Sequence, residues 1–422
     1  MAERTISPLL LAPAGSFESL MAALEAGADA VYFGVEQLNM RTRSSNSFVL
    51  EDLPAIASIC QQQQVRAYIT LNTVMYEHDM QLLRRILDEV KRTGIHAVIA
   101  SDFAVMQYCR ERNIPVHVST QANVSNVESL QFFAPFSDVV VLARELTLKQ
   151  VEHINQEIIR KNIRGISGAL MQTEIFVHGA LCMAVSGKCY LSLHSQHASA
   201  NRGACVQNCR RPYEVTDLES GEQWQIDNEY ILSPKDLCTI DILDQVIQSG
   251  TQVLKIEGRS KGPDYVYTVT RCYREAIDAI SAGTYTAEKI AGWMNELSTV
   301  YNRGFWEGYY LGRKLGEWTT QPGSVALDKK VYLGKGVRYY PKLNVGEFLI
   351  ESGQLNTTDR ILITGPSYGM RKLELNPLMI NGSPGETACK GDRITFPIDV
   401  KITEKDKLYK IVPNTDAIHR SS

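Results

Sequence analysis

Leu9 to Gly34 reads LLLAPAGSFESLMAALEAGADAVYFG, and the architecture of the chain follows from this stretch. An apolar run, Leu9 to Ala12, passes through a glycine turn into a helical pattern, Phe17 to Ala26, and then into a second apolar run, Ala30 to Gly34. The same alternation recurs at Ala67 to Asn72, Ala97 to Ser101, Val116 to Thr120, Val139 to Ala143, Glu174 to His178 and Val253 to Glu257. Between the runs lie stretches with apolar residues at three-to-four spacing: Leu50 to Gln63, Asp79 to Thr93, Phe103 to Arg112 and Leu148 to Arg160. Eight strand-helix units in succession predict an α/β fold of the (β/α)8, TIM-like class, with a doubly wound open sheet as the alternative.

Beyond the seventh run, Arg210 to Tyr230 reads as a polar excursion with strand-like pieces, and an N-capped helix is expected from about Ser233 to Ser249. Tyr265 to Ala282 and Ala287 to Tyr301 read as further helices, ahead of NRGFWEGYYLG at 302 to 312. After Gln321 the texture changes to short alternating runs punctuated by Gly and Pro, as in GEFLIES at 346 to 352, RILITG at 360 to 365 and DRITFPIDV at 392 to 400. The expected layout is a catalytic barrel over 1–320, with a cysteine-rich loop at 174–238, and a small β-barrel domain over 321–422 joined around Pro322 and Gly323.

A chain of 422 residues, 44% hydrophobic and 22% charged, has enough apolar material for a large core. The opening MAERTISPLL has no basic-then-apolar leader, and no apolar run approaches membrane-spanning length, so a cytoplasmic location is expected. Nine cysteines in such a chain are too few for a disulfide scaffold. A net charge of −3 gives no bulk attraction to nucleic acid, so an RNA partner needs a local basic patch.

Four of those cysteines fall within Glu174 to Cys209, EIFVHGALCMAVSGKCYLSLHSQHASANRGACVQNC, at Cys182, Cys189, Cys205 and Cys209. Glycines at 179, 187 and 203 allow tight turns that can aim several sulfurs at one point. Thiolates suit soft metals, and the spacing leaves open an iron-sulfur cluster, a structural zinc or redox thiols. Paired C-x2-C knuckles, usual in zinc ribbons, are absent. Cys238 is a fifth candidate in reserve, whereas Cys60, Cys109, Cys272 and Cys389 fall on expected helices or in the β-rich region.

In a barrel the C-terminal ends of the strands ring the active-site mouth, which picks out Asn72, Ser101, Asp102, Gln121, Arg144, Glu145, His178, Lys255, Glu257 and Arg259. His178 is either a proton carrier or a hydrogen-bonded structural histidine. Lys255, Glu257 and Arg259 alternate along one strand and its exit, as a clamp for an anion or as an internal salt-bridge network. Arg144 and Glu145 carry the same two readings. Lys188, Arg202, Arg210 and Arg211 crowd the cysteines and can receive RNA phosphates. No G-x-S-x-G elbow, H-E-x-x-H helix or phosphate-binding glycine loop occurs, so nothing in the motifs calls for a hydrolase, ATP or a nicotinamide.

Glu174 to Ser192 resembles the signature of the collagenase-like peptidase family U32, matching its fixed positions at Glu174, Phe176, Gly179, Ala180, Cys182, Gly187, Cys189 and Ser192. The likeness extends to LLAPAGSFESLMAALEAGADAVYFG, to NRGAC at 201 to 205, to SPKDLC and KIEGRS, and to the β-rich C-terminal part. Despite the name, the resemblance implies chemistry on nucleic acids or quinones: members include prephenate-dependent tRNA uridine 5-hydroxylation proteins, a 23S ribosomal RNA cytidine hydroxylation protein and ubiquinone hydroxylation proteins. It implies a 4Fe-4S cluster on Cys182, Cys189, Cys205 and Cys209, loaded by iron-sulfur assembly machinery, with Cys238 as the replacement some relatives would use. The layout and the run GACVQNCRRPYE look most like the tRNA branch. The expected activity is therefore 5-hydroxyuridine formation at the tRNA wobble position with prephenate. His178, Lys255, Glu257 and Arg259 are the catalytic candidates; Arg144, Lys188, Arg202, Arg210 and Arg211 are the substrate-binding ones. The alternatives are a peptidase, a ribosomal RNA cytidine hydroxylation protein and a non-enzymatic RNA-binding protein with a structural cluster.

Overall fold

Short β-branched runs buried on both faces can persist as strands only if helices cover one side and a packed interior fills the other. The computed structural model describes residues 7–415 except 37, 41–47, 212–215, 217–218, 222–231, 313–315, 320–322 and 376. In it the first seven strands are β1 (Leu9–Pro13), β2 (Ala30–Phe33), β3 (Arg66–Leu71), β4 (Ala97–Ala100), β5 (Val116–Val118), β6 (Val139–Val141) and β7 (Gln172–Gly179). After β8 (Asp236–Cys238) comes β9 (Val253–Ile256), which pairs in parallel with both β7 and β1 and so closes an eight-stranded parallel barrel. The (β/α)8 expectation holds, and all eight expected runs supply barrel strands.

The helices are α1 (Phe17–Glu25), α2 (Leu53–Gln62), α3 (Met80–Thr93), α4 (Phe103–Glu111), α5 (Val127–Phe133), α6 (Leu148–Arg160), α7 (Leu191–Gln196), α8 (Leu243–Gln248), α9 (Pro263–Ser281) and α10 (Ala287–Thr299). Local chemistry fixes their starts: Ser16, Asp102, Asn126 and Thr147 each accept a backbone N–H in the first turn of α1, α4, α5 and α6. Residues of one parity along the strands, such as Leu10, Val31, Ile69, Val98, Val140, Ile175 and Leu254, pack outward into the main core with the helices. Those of the other parity, Leu11, Tyr32, Tyr68, Ile99, Val139 and Val253, form a separate inward cluster that plugs the barrel. No helix of the described residues is long and apolar enough to cross a membrane.

One element differs from expectation. The helix expected from Ser233 to Ser249 is a strand, β8, antiparallel to the end of β7, and then a helix only from Leu243 to Gln248. Backbone pairing of Leu237 and Cys238 with Gly179 and His178 takes precedence over the N-cap signal of Ser233. Most of the polar excursion expected from Arg210 to Tyr230 lies outside the described residues, as does Pro322. From Asp328 to Pro413 the chain forms an eight-stranded antiparallel sheet with its own core, in which the rings of Phe348 and Phe396 stack at 5.2 Å. This sheet leans on α1, with Arg371 Nη1 2.7 Å from Glu25 Oε2.

Gly179 is where β7 hands over to the cysteine loop, at φ +108°, and a Cβ there would stand 2.4 Å from the Glu257 carbonyl oxygen. Gly179→Ala is expected to cost about 2–4 kcal/mol of stability from forbidden backbone geometry and this clash, read as a lowered denaturant midpoint with unchanged slope.

Candidate functional site

Inside the barrel, β7 and β9 turn two charged side chains toward each other. Lys255 Nζ lies 2.6 Å from Glu174 Oε1, and His117 Nδ1, on β5, lies 3.0 Å from the other oxygen, Oε2. Since a carboxylate only accepts, His117 presents Nδ1–H to it. Glu174 is fully buried and Lys255 only 4% exposed. Burial pushes the Glu174 carboxyl upward, but the Lys255 ammonium and the His117 contact outweigh it and hold the group down at about 2. Aromatic rings complete this floor: Lys255 Nζ sits 4.6 Å from the centre of the Tyr32 ring, and Tyr68 packs 4.5 Å from His117.

Above the floor is a cavity of about 200 Å³ lined by Tyr32, Asn72, Gln121, Phe176, Arg144, Lys255, Glu257 and Arg259 from the barrel and by Cys182, Cys189, Cys205 and Cys209 from the loop. The barrel thus brings six of the strand-end candidates together with all four loop cysteines. Arg259 donates to Thr70 Oγ1 at 2.6 Å and to Asn39 Oδ1 at 3.2 Å. Tyr32 donates its hydroxyl to the Ile256 carbonyl at 2.8 Å and stands 3.2 Å from Glu257 Oε2. Arg144 places its guanidinium carbon 4.0 Å from the centre of the Phe176 ring and donates Nη1 to the Ala180 carbonyl at 3.1 Å. Its Nε is buried without a hydrogen-bond partner, and no carboxylate pairs with Arg144 among the described residues. A half-buried guanidinium in that condition is a ready anion receptor.

The cysteine loop is held over the cavity by side chains that sequence reading had assigned to RNA. Arg202 forms a forked ion pair with Asp79, ahead of α3, donates to the Val74 carbonyl and covers the Tyr76 ring at 4.3 Å. Arg210 donates to the carbonyls of Leu181 and Pro234 and to Ser233 Oγ, at 2.7, 3.1 and 2.9 Å. Both are therefore straps that fix the loop, because buried guanidinium donors find carbonyl and carboxylate acceptors before they can reach solvent phosphate. Lys188 and Arg211 are exposed, each next in sequence to a residue that lines the cavity.

The remaining candidates fall elsewhere. His178 points away from the cavity, among Tyr265, Tyr273 and Phe305, with ring centres 5.5–6.0 Å apart. Burial pulls its imidazole down to about 3, and its Nδ1 has no partner, so at neutral pH it is an uncharged packing residue. Cys238 is buried in β8 against Met294 and Tyr273, and burial pushes its thiol up to about 12, as it does for Cys60, Cys109 and Cys272. Ser101 and Asp102 serve the backbone, Ser101 Oγ donating to the Asn72 carbonyl and Asp102 capping α4. Glu145 is exposed at a smaller recess behind Arg144.

Of the nine cysteines, then, the four in the loop are the ones gathered at the cavity and partly open to solvent. Among the described residues no three His, Cys, Asp or Glu side chains converge closely enough to share one metal ion. By donor chemistry alone, four thiols at one cavity suit a soft metal centre such as an iron-sulfur cluster, and Cys182, Cys189, Cys205 and Cys209 are the residues that would hold it. Residues that sequence reading passed over are Tyr32, His117 and Phe176. Their signal was a polar or aromatic side chain at the inward parity of an otherwise aliphatic strand.

The family model for peptidase family U32 matches residues 15–320. A collagenase of Porphyromonas gingivalis is 53% identical over 401 residues, covering 95% of this chain and 97% of that protein. A tRNA hydroxylation protein of Bacillus subtilis is 33% identical over 315 residues, covering 73% and 72% of the two chains. A 23S rRNA 5-hydroxycytidine synthase of Escherichia coli is 35% identical over 278 residues, covering 64% of this chain and 39% of its own length.

Removing one partner of the Glu174–Lys255 pair strands a buried charge. Lys255→Ala is expected to cost about 3–5 kcal/mol, while the double change Glu174→Gln with Lys255→Met restores most of it, as measured by chemical denaturation. Because the folded carboxyl of Glu174 titrates below its ordinary 4.5, its contribution is complete above that pH and is lost as pH falls toward about 2. The double variant should show a shallower acid limb over that window.

Proposed function

The chain belongs to peptidase family U32, and from that premise we propose that it is a tRNA-modifying enzyme forming 5-hydroxyuridine at the wobble position. One observation carries the reading: four loop thiols and the guanidinium of Arg144, which has no carboxylate partner among the described residues, line a single small cavity at the barrel mouth. About 200 Å³ suits a small molecule or a splayed base far better than a folded polypeptide. The relatives in Bacillus subtilis and Escherichia coli that carry RNA hydroxylation names support the reaction class.

In this proposal Cys182, Cys189, Cys205 and Cys209 would hold a 4Fe-4S cluster, which when bound would supply redox or oxygen-handling chemistry. Prephenate, a small dicarboxylate, is received by Arg144 and Arg259 through charge-assisted hydrogen bonds. Lys255, neutralised by Glu174, holds the shape of the cavity floor. Glu257, beside Tyr32 on the cavity wall, is the carboxylate placed to accept a proton from a bound substrate. Lys188 and Arg211, rather than Arg202 and Arg210, take RNA phosphates from solvent.

The 53% identity to a protein named collagenase favours a second reading, a peptidase. Peptide hydrolysis needs an activated nucleophile, and among the described residues no histidine lines the cavity beside its serine, threonine and cysteine side chains.

Two measurements decide. Anaerobically purified protein should be brown with about four irons and four sulfides per chain. Cys182→Ala or Cys209→Ala should lose that iron while Cys238→Ser keeps it; iron kept in Cys209→Ala and lost in Cys238→Ser would reverse the ligand assignment. Mass spectrometry of tRNA nucleosides from a deletion strain should show 5-hydroxyuridine and its derivatives gone. Unchanged tRNA in that strain, with gelatin cleavage by the iron-loaded protein, would establish the peptidase instead.

A further inference from the structure

Next to the thiol cavity lies a second cleft of about 370 Å³, and the two share Met40, Asn72, Gln121 and Gly187. Its walls include two large aromatic side chains left in water: Phe103, 64% exposed at the start of α4, and Tyr190, 67% exposed just ahead of α7. Apolar rings of this size are normally buried, so a pair of them at a cleft continuous with the site calls for an occupant. The Phe103 ring is braced from behind by Phe133, nearly parallel at 8° with centres 6.4 Å apart, which leaves most of its surface open to solvent.

The polar groups of the cleft narrow the choice of occupant. Lys188 stands exposed at its edge. Asn201, on the cleft wall, has a side-chain oxygen, Oδ1, that is buried with no hydrogen-bond partner among the described residues, an acceptor open to an N–H donor. The Asn201 backbone is fixed by its carbonyl, which accepts from Val74 N at 3.1 Å. A planar group with an N–H edge, attached to a negatively charged backbone, satisfies the rings, the acceptor and the lysine together; a nucleobase in single-stranded RNA is such a group.

Resting on the RNA reading above, we infer that this cleft is a stacking subsite for the nucleotide flanking the base that enters the thiol cavity. Phe103 and Tyr190 supply the stacking surfaces, Asn201 Oδ1 the hydrogen-bond acceptor and Lys188 the phosphate contact. The subsite selects for an unstacked strand over a duplex, because only splayed bases can occupy two adjoining recesses.

Fluorescence anisotropy with the full chain tests this, using a labelled short oligouridylate and its abasic counterpart as probes. Phe103→Ala and Tyr190→Ala should each weaken oligouridylate binding about five- to hundred-fold and leave the abasic strand unaffected, while Tyr190→Phe keeps the π-face and stays within about two-fold of the parent. Lys188→Ala should weaken both probes and reduce the slope of affinity against salt by about one counterion. Phe103 lies on the barrel rather than the cysteine loop, so its variant separates lost stacking from a disturbed loop. Parental affinity for oligouridylate in both alanine variants, or an equal loss on both probes, would overturn the subsite and leave the rings to a protein partner. Base-dependent binding by a protein whose deletion leaves tRNA unchanged would uphold the subsite and reject the reaction.

Discussion

The ion pair between Glu174 and Lys255 is the constraint on which the site depends. Two opposite charges placed inside a barrel must find each other, since either alone would be stranded in a low-dielectric interior. Their contact at 2.6 Å ties the inward faces of β7 and β9 together, next to the strand pairing that closes the barrel. With His117 occupying the second carboxylate oxygen and Tyr32 and Tyr68 packed around, the floor is rigid and internally satisfied. Such a pair adds little net stability over an apolar plug, so its value lies in the fixed, polar base it gives the cavity.

That neutralisation has a consequence for the cations above. Lys255 is committed downward to Glu174, Arg202 outward to Asp79, and Arg210 inward to backbone carbonyls. Arg144, over the Phe176 ring, is left lining the cavity with no carboxylate partner among the described residues. Four arginines and lysines that look equivalent in sequence thus take separate duties, set by the acceptor each reaches first.

This marks the border of what the sequence made legible. Barrel strands were readable because burial on both faces enforces continuous apolar runs, and the helices because their inner stripe repeats at helical spacing. Helix α5 was passed over: it has only seven residues, although Asn126 ahead of it and Pro135 behind it were usable boundary signals. Strand β8 was read as helix because the N-cap preference of Ser233 is local, whereas pairing with β7 is not. The strand-end rule found the cavity residues but could not tell inward from outward parity at the end of β7. There a register shift between Phe176 and His178 sends Phe176 into the barrel and His178 into the helix layer.

The contrast between the two classes of cysteine shows why the proposed donor set would sit on a loop rather than on the scaffold. On helices and strands, burial raises the thiols of Cys60, Cys109, Cys238 and Cys272 to about 12 and disables them as thiolates. A metal-binding sulfur must ionise, which requires some water or a nearby cation, and an irregular loop over a barrel mouth offers both. The cost is that a loop does not position atoms by itself. Here the straps made by Arg202 and Arg210, with glycine turns at Gly179, Gly187 and Gly203, give the loop the fixity that regular hydrogen bonding gives a strand. Arg210 also places its guanidinium near the Cys209 thiol, where burial raises the pKa and the positive charge opposes that rise. The same arginine that holds the loop in place therefore favours the ionised sulfur.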